Sequence, residues 1–130
     1  MRLALTVLLL LPIPASAEIL VVDFVKVLNG NKAEALYYYE NNWKKHRIEA
    51  ARLGYISSYR LMVRTSDGGE TDILLVTGFA SEAEYKKREE NFQEVMAESR
   101  RDGPELMNDK TPGEFRAVVD NATYLDAGAT

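Results

Sequence analysis

The sequence predicts an α+β domain in which a four-stranded antiparallel sheet carries two helices on one face. Apolar residues alternate along the chain between strand-like and helix-like periods in the order β-α-β-β-α-β. Right-handed crossovers turn that order into an antiparallel sheet with both helices on the same side. Two strand-like segments are apolar on both alternations, so the other sheet face also needs a cover.

The N-terminal segment, residues 1–17, has the features of a signal peptide. Arg2 precedes an apolar run that is too short to span a bilayer of about 30 Å. Two prolines end the run, and small residues up to Ala17 match the pattern that signal peptidase cleaves. We expect a periplasmic or secreted protein with a single domain over 18–125 and a short tail at 126–130. An uncleaved anchor and a buried first helix are the alternatives.

The composition excludes several classes of protein. The 130-residue chain has no cysteine, one histidine and a formal net charge of −4. It therefore has no disulfide, thiolate nucleophile or iron–sulfur cluster, and it lacks the paired histidines of common zinc and copper sites. The acidic balance argues against nucleic acid. We predict no metal, no cofactor, no nucleic-acid partner and no membrane attachment after cleavage.

The first half of the domain reads as strand, helix and strand. Residues 19–28 are β-branched and aromatic, which is typical of a strand covered on both faces. Asn31 is placed to cap a helix over 32–53, and Gly54 follows as its C-terminal stop. Residues 55–64 alternate as the second strand.

The second half repeats this order. A turn at 66–69 leads into a third strand over 71–79. Ser81 and Glu84 then form the capping-box pattern at the start of a second helix, about 82–99.

The last connection, residues 100–113, contains two glycines and two prolines. We interpret it as a loop with one helical turn at 105–108, followed by a fourth strand over 115–125. Its length is typical of a lid, a binding loop or a subunit contact.

The first helix carries a strongly apolar stripe. At 100° per residue, the stripe consists of Leu36, Tyr39, Trp43, His46, Ala50 and Leu53. Only one residue of the triplet 37–39 can then point to the core, and Tyr39 is that residue. Tyr37 and Tyr38 are left as candidates for contact with a partner.

The second sheet face favours self-association. An exposed apolar face of several hundred Å² is not tolerated in a soluble monomer. A second copy that packs sheet against sheet is the simplest cover, so we predict a homodimer.

The pattern resembles a known superfamily. The residues that carry the resemblance are Trp43, His46, Gly54, Tyr55, Asp72 to Val76, Ser81, Tyr85 and Phe92. With the element order, they make the chain similar to the dimeric α/β-barrel superfamily of ferredoxin-like domains, and particularly to its NIPSNAP-like branches. That superfamily includes antibiotic-biosynthesis monooxygenases, haem-degrading enzymes, chlorite-dismutase-like haem proteins and small cyclases. The resemblance implies a ligand pocket between the helices and the sheet of one subunit.

This pocket would hold a small apolar or aromatic molecule. Its predicted lining residues are Tyr39, Trp43, His46, Tyr85 and Phe92. His46 is the candidate general base or axial haem ligand, or it is a histidine satisfied at the edge of the core. The sequence matches the haem-degrading pattern only at Trp43 and His46, which argues against haem. A structural dimer without a pocket and a cofactor-free monooxygenase or cyclase using His46 remain the alternatives.

Asp23 interrupts an apolar strand face. A buried carboxylate there has a raised pKa and can serve as an acid or a base. The alternative is a structural ion pair with Arg60, Arg64 or Arg116 on another strand.

Overall fold

The computed structural model describes residues 17–99 and 101–128. The predicted signal peptide therefore lies outside the described residues, apart from Ala17. Within the described ranges, no helix has the length and apolar character needed to cross a membrane.

The elements follow the predicted order, except that the second helix is divided into two and a short helix precedes the last strand. The strands are β1 (Ile19–Val27), β2 (Ser58–Val63), β3 (Ile73–Phe79) and β4 (Arg116–Leu125), and the helices are α1 (Lys32–Tyr38), α2 (Lys44–Arg52), α3 (Glu82–Lys86), α4 (Arg88–Ser99) and α5 (Pro112–Phe115). A π-helix, Tyr39–Trp43, joins α1 to α2 without a break.

The sheet has the strand order β2-β3-β1-β4, and each neighbouring pair is antiparallel. This is the ferredoxin-like arrangement, so the predicted fold class is confirmed. The central pair places Val21 opposite Thr77, and β1 places Asp23 opposite Asn121 on β4. A β-bulge shifts the β1–β4 register between Phe24 and Val25.

The hydrophobic core lies on one side of the sheet. Odd-numbered residues of β1 and β3, such as Val25, Ile73 and Phe79, pack with helix residues in two clusters. Even-numbered residues of the same strands face the other way because side chains alternate along a strand. Within the described residues, no helix covers that face, as the right-handed crossovers predicted.

Helix boundaries differ from prediction where side chains compete for backbone groups. Asn31 makes no side-chain cap, and its amide donates to the Glu114 carbonyl oxygen at 3.1 Å instead. The Ser81 cap is confirmed, since its hydroxyl accepts from the Glu84 N–H at 3.2 Å. The second helix is interrupted after Lys86, so α3 and α4 replace a single helix.

The long connection has its helical turn in a different place. Residues 105–108 are not helical, and α5 begins instead at Pro112. Thr111 and Glu114 form its capping box, with the Glu114 carboxylate accepting from the Thr111 N–H at 2.7 Å. Proline is favourable in the first turn of a helix, where its missing N–H costs nothing.

Tyr38 is not free for a partner. Its ring packs 5.2 Å from that of Tyr39 and 5.5 Å from that of Phe115, and the Arg116 guanidinium lies 5.4 Å from its centre. The expectation that Tyr39 alone of the triplet points to the core was therefore wrong. Phe115 is the last residue of α5, a helix that was not predicted, and its ring packs against that of Tyr38.

Candidate functional site

The first helix contains a π segment where the predicted pocket residues lie. This segment, Tyr39–Trp43, inserts an extra residue into the helical turn, and such insertions occur frequently at functional sites. The side-chain amides of Asn41 and Asn42 donate to the carbonyl oxygens of Tyr37 and Tyr38, at 2.8 and 2.7 Å. These bonds satisfy carbonyl groups at the point where the regular helical pattern changes.

The π segment changes which residues face the sheet. Tyr39 and Trp43 are 4% and 9% exposed, and Arg47 follows Trp43 at the same four-residue spacing. The regular stripe had placed His46 there. The Arg47 guanidinium lies 5.0 Å from the centre of the Trp43 ring and 4.4 Å from that of Phe92. Arg47 is thus a site residue that the regular helical period missed.

Arg47 reaches the sheet through a second buried polar group. Its Nε donates to the hydroxyl oxygen of Thr77, a β3 residue that is 4% exposed, at 2.9 Å. Burial lowers the pKa of Arg47 to about 10, and the charge of Asp23 acts against that decrease. The guanidinium is therefore protonated at neutral pH.

Asp23 lies on the helix-facing side of β1. Its carboxylate accepts a hydrogen bond from the side-chain amide of Asn121, its partner in the β1–β4 register. Within the described residues, Asp23 forms no ion pair with Arg60, Arg64 or Arg116. It bonds Asn121 instead, and its charge acts on Arg47.

Three buried polar atoms lack a partner in this part of the fold. They are the Tyr39 hydroxyl, the Trp43 indole nitrogen and the Arg116 Nε, and none has a hydrogen bond within the described residues. Burial raises the pKa of Tyr39 to about 12, although the charge of Arg116 and the contact of its guanidinium with the Tyr39 hydroxyl both act in the opposite direction. An unpaired buried group costs about 1–3 kcal/mol, so native proteins contain few of them. Buried groups of this kind are ordinarily satisfied by ordered water or by a bound molecule.

The predicted pocket residues fall into two groups. Tyr39 and Trp43 belong to the cluster around Val25, whereas Tyr85 and Phe92 belong to the cluster around Phe79. The rings of Tyr85 and Phe92 pack edge-on at 5.7 and 6.2 Å from that of Phe79. Arg47 connects the groups because it contacts both Trp43 and Phe92.

His46 is half-buried next to Arg47. Burial, and then the charge of Arg47, lower the pKa of its imidazole below the usual value of 6.5. His46 is therefore neutral at pH 7, which is the form that a general base requires. Its catalytic role stays a prediction.

The long loop is fastened to the π segment. The Asn42 side chain donates to the Glu105 carbonyl oxygen and accepts from the Glu105 N–H, both at 2.8 Å. Lys45 forms an ion pair with the Glu105 carboxylate at 3.0 Å, and Leu106 packs against the Tyr39 cluster. These contacts anchor the loop against the helix and the Tyr39 cluster.

Two concave regions lie on the opposite face of the sheet. They have volumes of about 430 and 500 Å³ and share the lining residues Phe24, Met62 and Leu74. Neither contains a residue of the predicted pocket. Across residues 17–99 and 101–128, no group of three or more His, Asp or Glu side chains is placed to hold a metal ion.

No family model matches the sequence, and no curated protein matches it. Among solved structures, two similar ones are proteins of unknown function. One is a dimeric protein of unknown function and ferredoxin-like fold from Bacteroides fragilis NCTC 9343, with 17% identity over 84% of this chain and 95% of that chain and a TM-score of 0.43. The other is a NIPSNAP family protein of unknown function from Agrobacterium tumefaciens str. C58, with 14% identity, 90% and 94% coverage and a TM-score of 0.45.

The first prediction concerns the unpaired hydroxyl. Tyr39→Phe removes a buried group without a partner, so the unfolding free energy of the ligand-free protein should stay unchanged or rise by about 1 kcal/mol. The control is Tyr55→Phe, because the Tyr55 hydroxyl donates to the Glu94 carboxylate at 2.7 Å. Urea unfolding measures the free energy of unfolding of both variants. A clear loss of stability in Tyr39→Phe would show that its hydroxyl is already paired.

The second prediction concerns pH. The pKa of His46 is lower in the folded state than in the unfolded state, so the unfolded state binds more protons. The stabilising contribution is complete above the unfolded pKa of about 6.5 and is lost as the pH falls towards the folded pKa. Urea unfolding at acid and neutral pH should therefore show a loss of stability on acidification that His46→Gln reduces.

The chain contains one histidine, so no other imidazole contributes to this window. Glu49 and Glu114 have pKa values below their usual 4.5, and their effect begins at lower pH. An unchanged pH dependence in His46→Gln would exclude His46 as the titrating group.

Proposed function

We propose that the protein is an exported homodimer in which each subunit binds a small molecule between its helices and its sheet. The ligand would contact the predicted residues Tyr39, Trp43, His46, Tyr85 and Phe92, together with Arg47. The observation that carries this proposal is the set of buried polar atoms without partners at Tyr39, Trp43 and Arg116. A ligand that completes their hydrogen bonds stabilises the folded subunit.

Aromatic rings lie against the two arginines of this region, Arg116 and Arg47. Tyr38 lies beside Arg116, and Trp43 and Phe92 lie beside Arg47. Binding sites for small molecules combine such apolar walls with a few placed polar groups. The walls suit an apolar or aromatic body, and the unpaired donors fix its orientation.

The bare sheet face supports the dimer. Its central residues are apolar and comprise Leu20, Val22, Phe24, Met62, Leu74, Val76 and Tyr124. Met62 and Tyr124 are 46% and 50% exposed in the single subunit. Sheets stack face to face at about 10 Å, and a second identical face offers the same area and curvature.

The charges of this face also suit a second copy. Arg60 lies among the apolar residues, while Glu18 and Asp126 lie at one end of the same face. A two-fold axis brings one patch against itself, so opposite charges in the patch can pair across the interface. We take a second copy of the chain as the occupant.

Two other functions are each supported by an observation. The deep burial of Tyr39 and Trp43 favours a structural dimer with a filled interior. The lowered pKa of His46 favours a cofactor-free monooxygenase or cyclase with His46 as the base.

Export remains a proposal based on the N-terminal sequence. Because β1 begins at Ile19, cleavage after Ala17 leaves every described strand and helix intact. The intact mass of the protein recovered from the periplasm tests the cleavage point.

The dimer makes a direct prediction. Met62→Glu places a charge on the bare face and should convert the dimer to a folded monomer, because an unpaired charge is costly to bury between stacked sheets. Ile48→Glu is the matched control, since Ile48 is 49% exposed on α2. Light scattering during size-exclusion chromatography measures the mass. A Met62→Glu variant that remains dimeric would contradict this interface.

Native mass spectrometry of the mature protein tests the whole proposal. A dimer that carries a reproducible additional mass is expected. Trp43 is the only tryptophan, so its fluorescence should respond when that molecule is removed and restored. A bare dimer whose fluorescence ignores small aromatic molecules would favour the structural alternative. A monomer would overturn the dimer.

A further inference from the structure

The charged residues of the bare sheet face are divided between its two edges. Arg60 lies on β2, and Arg64 follows the last residue of that strand. Asp120 lies on β4 opposite Phe24, and Asp126 follows the last residue of β4. Opposite residues of neighbouring strands point to the same side of a sheet, so Asp120 shares the face of Phe24. The face is therefore basic along β2 and acidic along β4.

These four charges form no ion pair within the described residues. Because β3 and β1 separate the two edge strands, about 14 Å lies between β2 and β4. Asp120 and Asp126 accept hydrogen bonds from backbone N–H groups that follow them, at 2.8 and 3.3 Å. Arg64 donates to the hairpin backbone at 3.0 Å, and the Arg60 guanidinium has no hydrogen bond within the described residues. Both edges can therefore pair with charges outside the subunit.

A second copy can stack on this face in two orientations. Aligned sheets keep their strand directions within about 30° of each other, so the two-fold axis runs either along or across the strands. Both orientations bury the same apolar residues, and the burial of apolar area has no preferred direction. The charges are the feature that distinguishes the two orientations.

An axis across the strands brings like charges together. It places β2 over β2 of the partner, and β4 over β4, wherever along the strands it crosses. Arg60 is the middle one of the three β2 residues on this face, between Ser58 and Met62. An axis through the centre of the face therefore puts Arg60 against Arg60 of the partner subunit, and like charges in an interface oppose association.

An axis along the strands brings opposite charges together. When this axis runs between the central strands β3 and β1, β2 lies over β4 of the partner. One row across the sheet consists of Met62, Leu74, Phe24 and Asp120. The axis exchanges the two ends of this row, so Asp120 faces Met62 of the partner subunit. The arginines two positions before and two positions after Met62 then flank the carboxylate.

We infer that the two-fold axis of the homodimer runs along the strands, with Asp120 between Arg60 and Arg64 of the partner subunit. This inference rests on the proposed dimer and names its orientation and the residues that pair. Symmetry repeats the contact, so each dimer contains it twice. Because both edges border solvent, these pairs contribute more to orientation and partner choice than to affinity.

Two substitutions of opposite charge at Met62 test the pairing. Met62→Lys and Met62→Glu both introduce a long charged side chain that faces Asp120 of the partner subunit in the inferred dimer. We expect the dissociation constant of the Met62→Lys dimer to be at least about tenfold lower than that of the Met62→Glu dimer, because lysine meets an opposite charge. Sedimentation equilibrium measures both constants, with the wild-type protein alongside.

Removal of the carboxylate shows whether Asp120 is the group that senses this charge. In an Asp120→Asn background, the difference between the two Met62 substitutions should fall below about threefold. Asp109→Asn is the matched control, because Asp109 is an exposed carboxylate in the long loop. This control should leave the difference unchanged.

Cross-linking tests the axis with the wild-type charges in place. The chain has no cysteine, so introduced cysteines are its only thiols. Ser58 and Tyr124 lie at the two ends of one row, and the inferred axis stacks each over the other in the partner. A reagent that spans about 10 Å should therefore produce a covalent dimer of the Ser58→Cys/Tyr124→Cys variant. The Ser58→Cys/Met62→Cys variant should give much less, since only an axis across the strands brings those positions together.

The outcomes separate the orientation from the proposed function. Equal dissociation constants for Met62→Lys and Met62→Glu would overturn the charge pairing and leave the dimer intact. Stronger cross-linking of the Ser58→Cys/Met62→Cys variant would overturn the axis. A difference at Met62 that persists in the Asp120→Asn background would remove Asp120 from the contact. A wild-type protein that is monomeric at every concentration would overturn the dimer together with this inference.

Discussion

A guanidinium lies inside the layer between the helices and the sheet, and its burial constrains the residues around it. Arg47 needs the Thr77 hydroxyl, the rings of Trp43 and Phe92, and the field of Asp23. Without such partners, a buried charge would be strongly destabilising. Thr77 therefore occupies a strand position that would otherwise suit an aliphatic residue. The same group contacts rings of both hydrophobic clusters, which Tyr59 of β2 also joins.

The π segment makes this arrangement geometrically possible. Arg47 follows Tyr39 and Trp43 on the inner side of the helix at four-residue spacing, and its guanidinium lies against the Trp43 ring. Asn41 and Asn42 stabilise the irregular turn through their amides. Asn42 also holds Glu105, so a single side chain links the altered helix to the loop that covers the interior.

The sequence was sufficient for the fold because its signals are local. Strand alternation, the Ser81 cap and the handedness of crossovers together determine the strand order. The candidate site was harder to predict because it depends on irregular parts of the helix and the loop. A helix period of fixed length could not identify Arg47, and α5 could not be foreseen inside a loop rich in glycine and proline. The Asn41–Asn42 pair was the available signal, since asparagine side chains compete with helical backbone bonds.

The alternation of β1 has a consequence for communication between subunits. Asp23 and Val25 face the ligand region, whereas Val22 and Phe24 face the proposed partner, so both surfaces share one strand. A one-residue slip would exchange the two faces, and the bulge between Phe24 and Val25 fixes the register. In the proposed dimer, a ligand that displaced this strand would also displace the sheet packed against it. In such a dimer, occupancy of one site would alter the affinity of the other without a hinge or a moving domain.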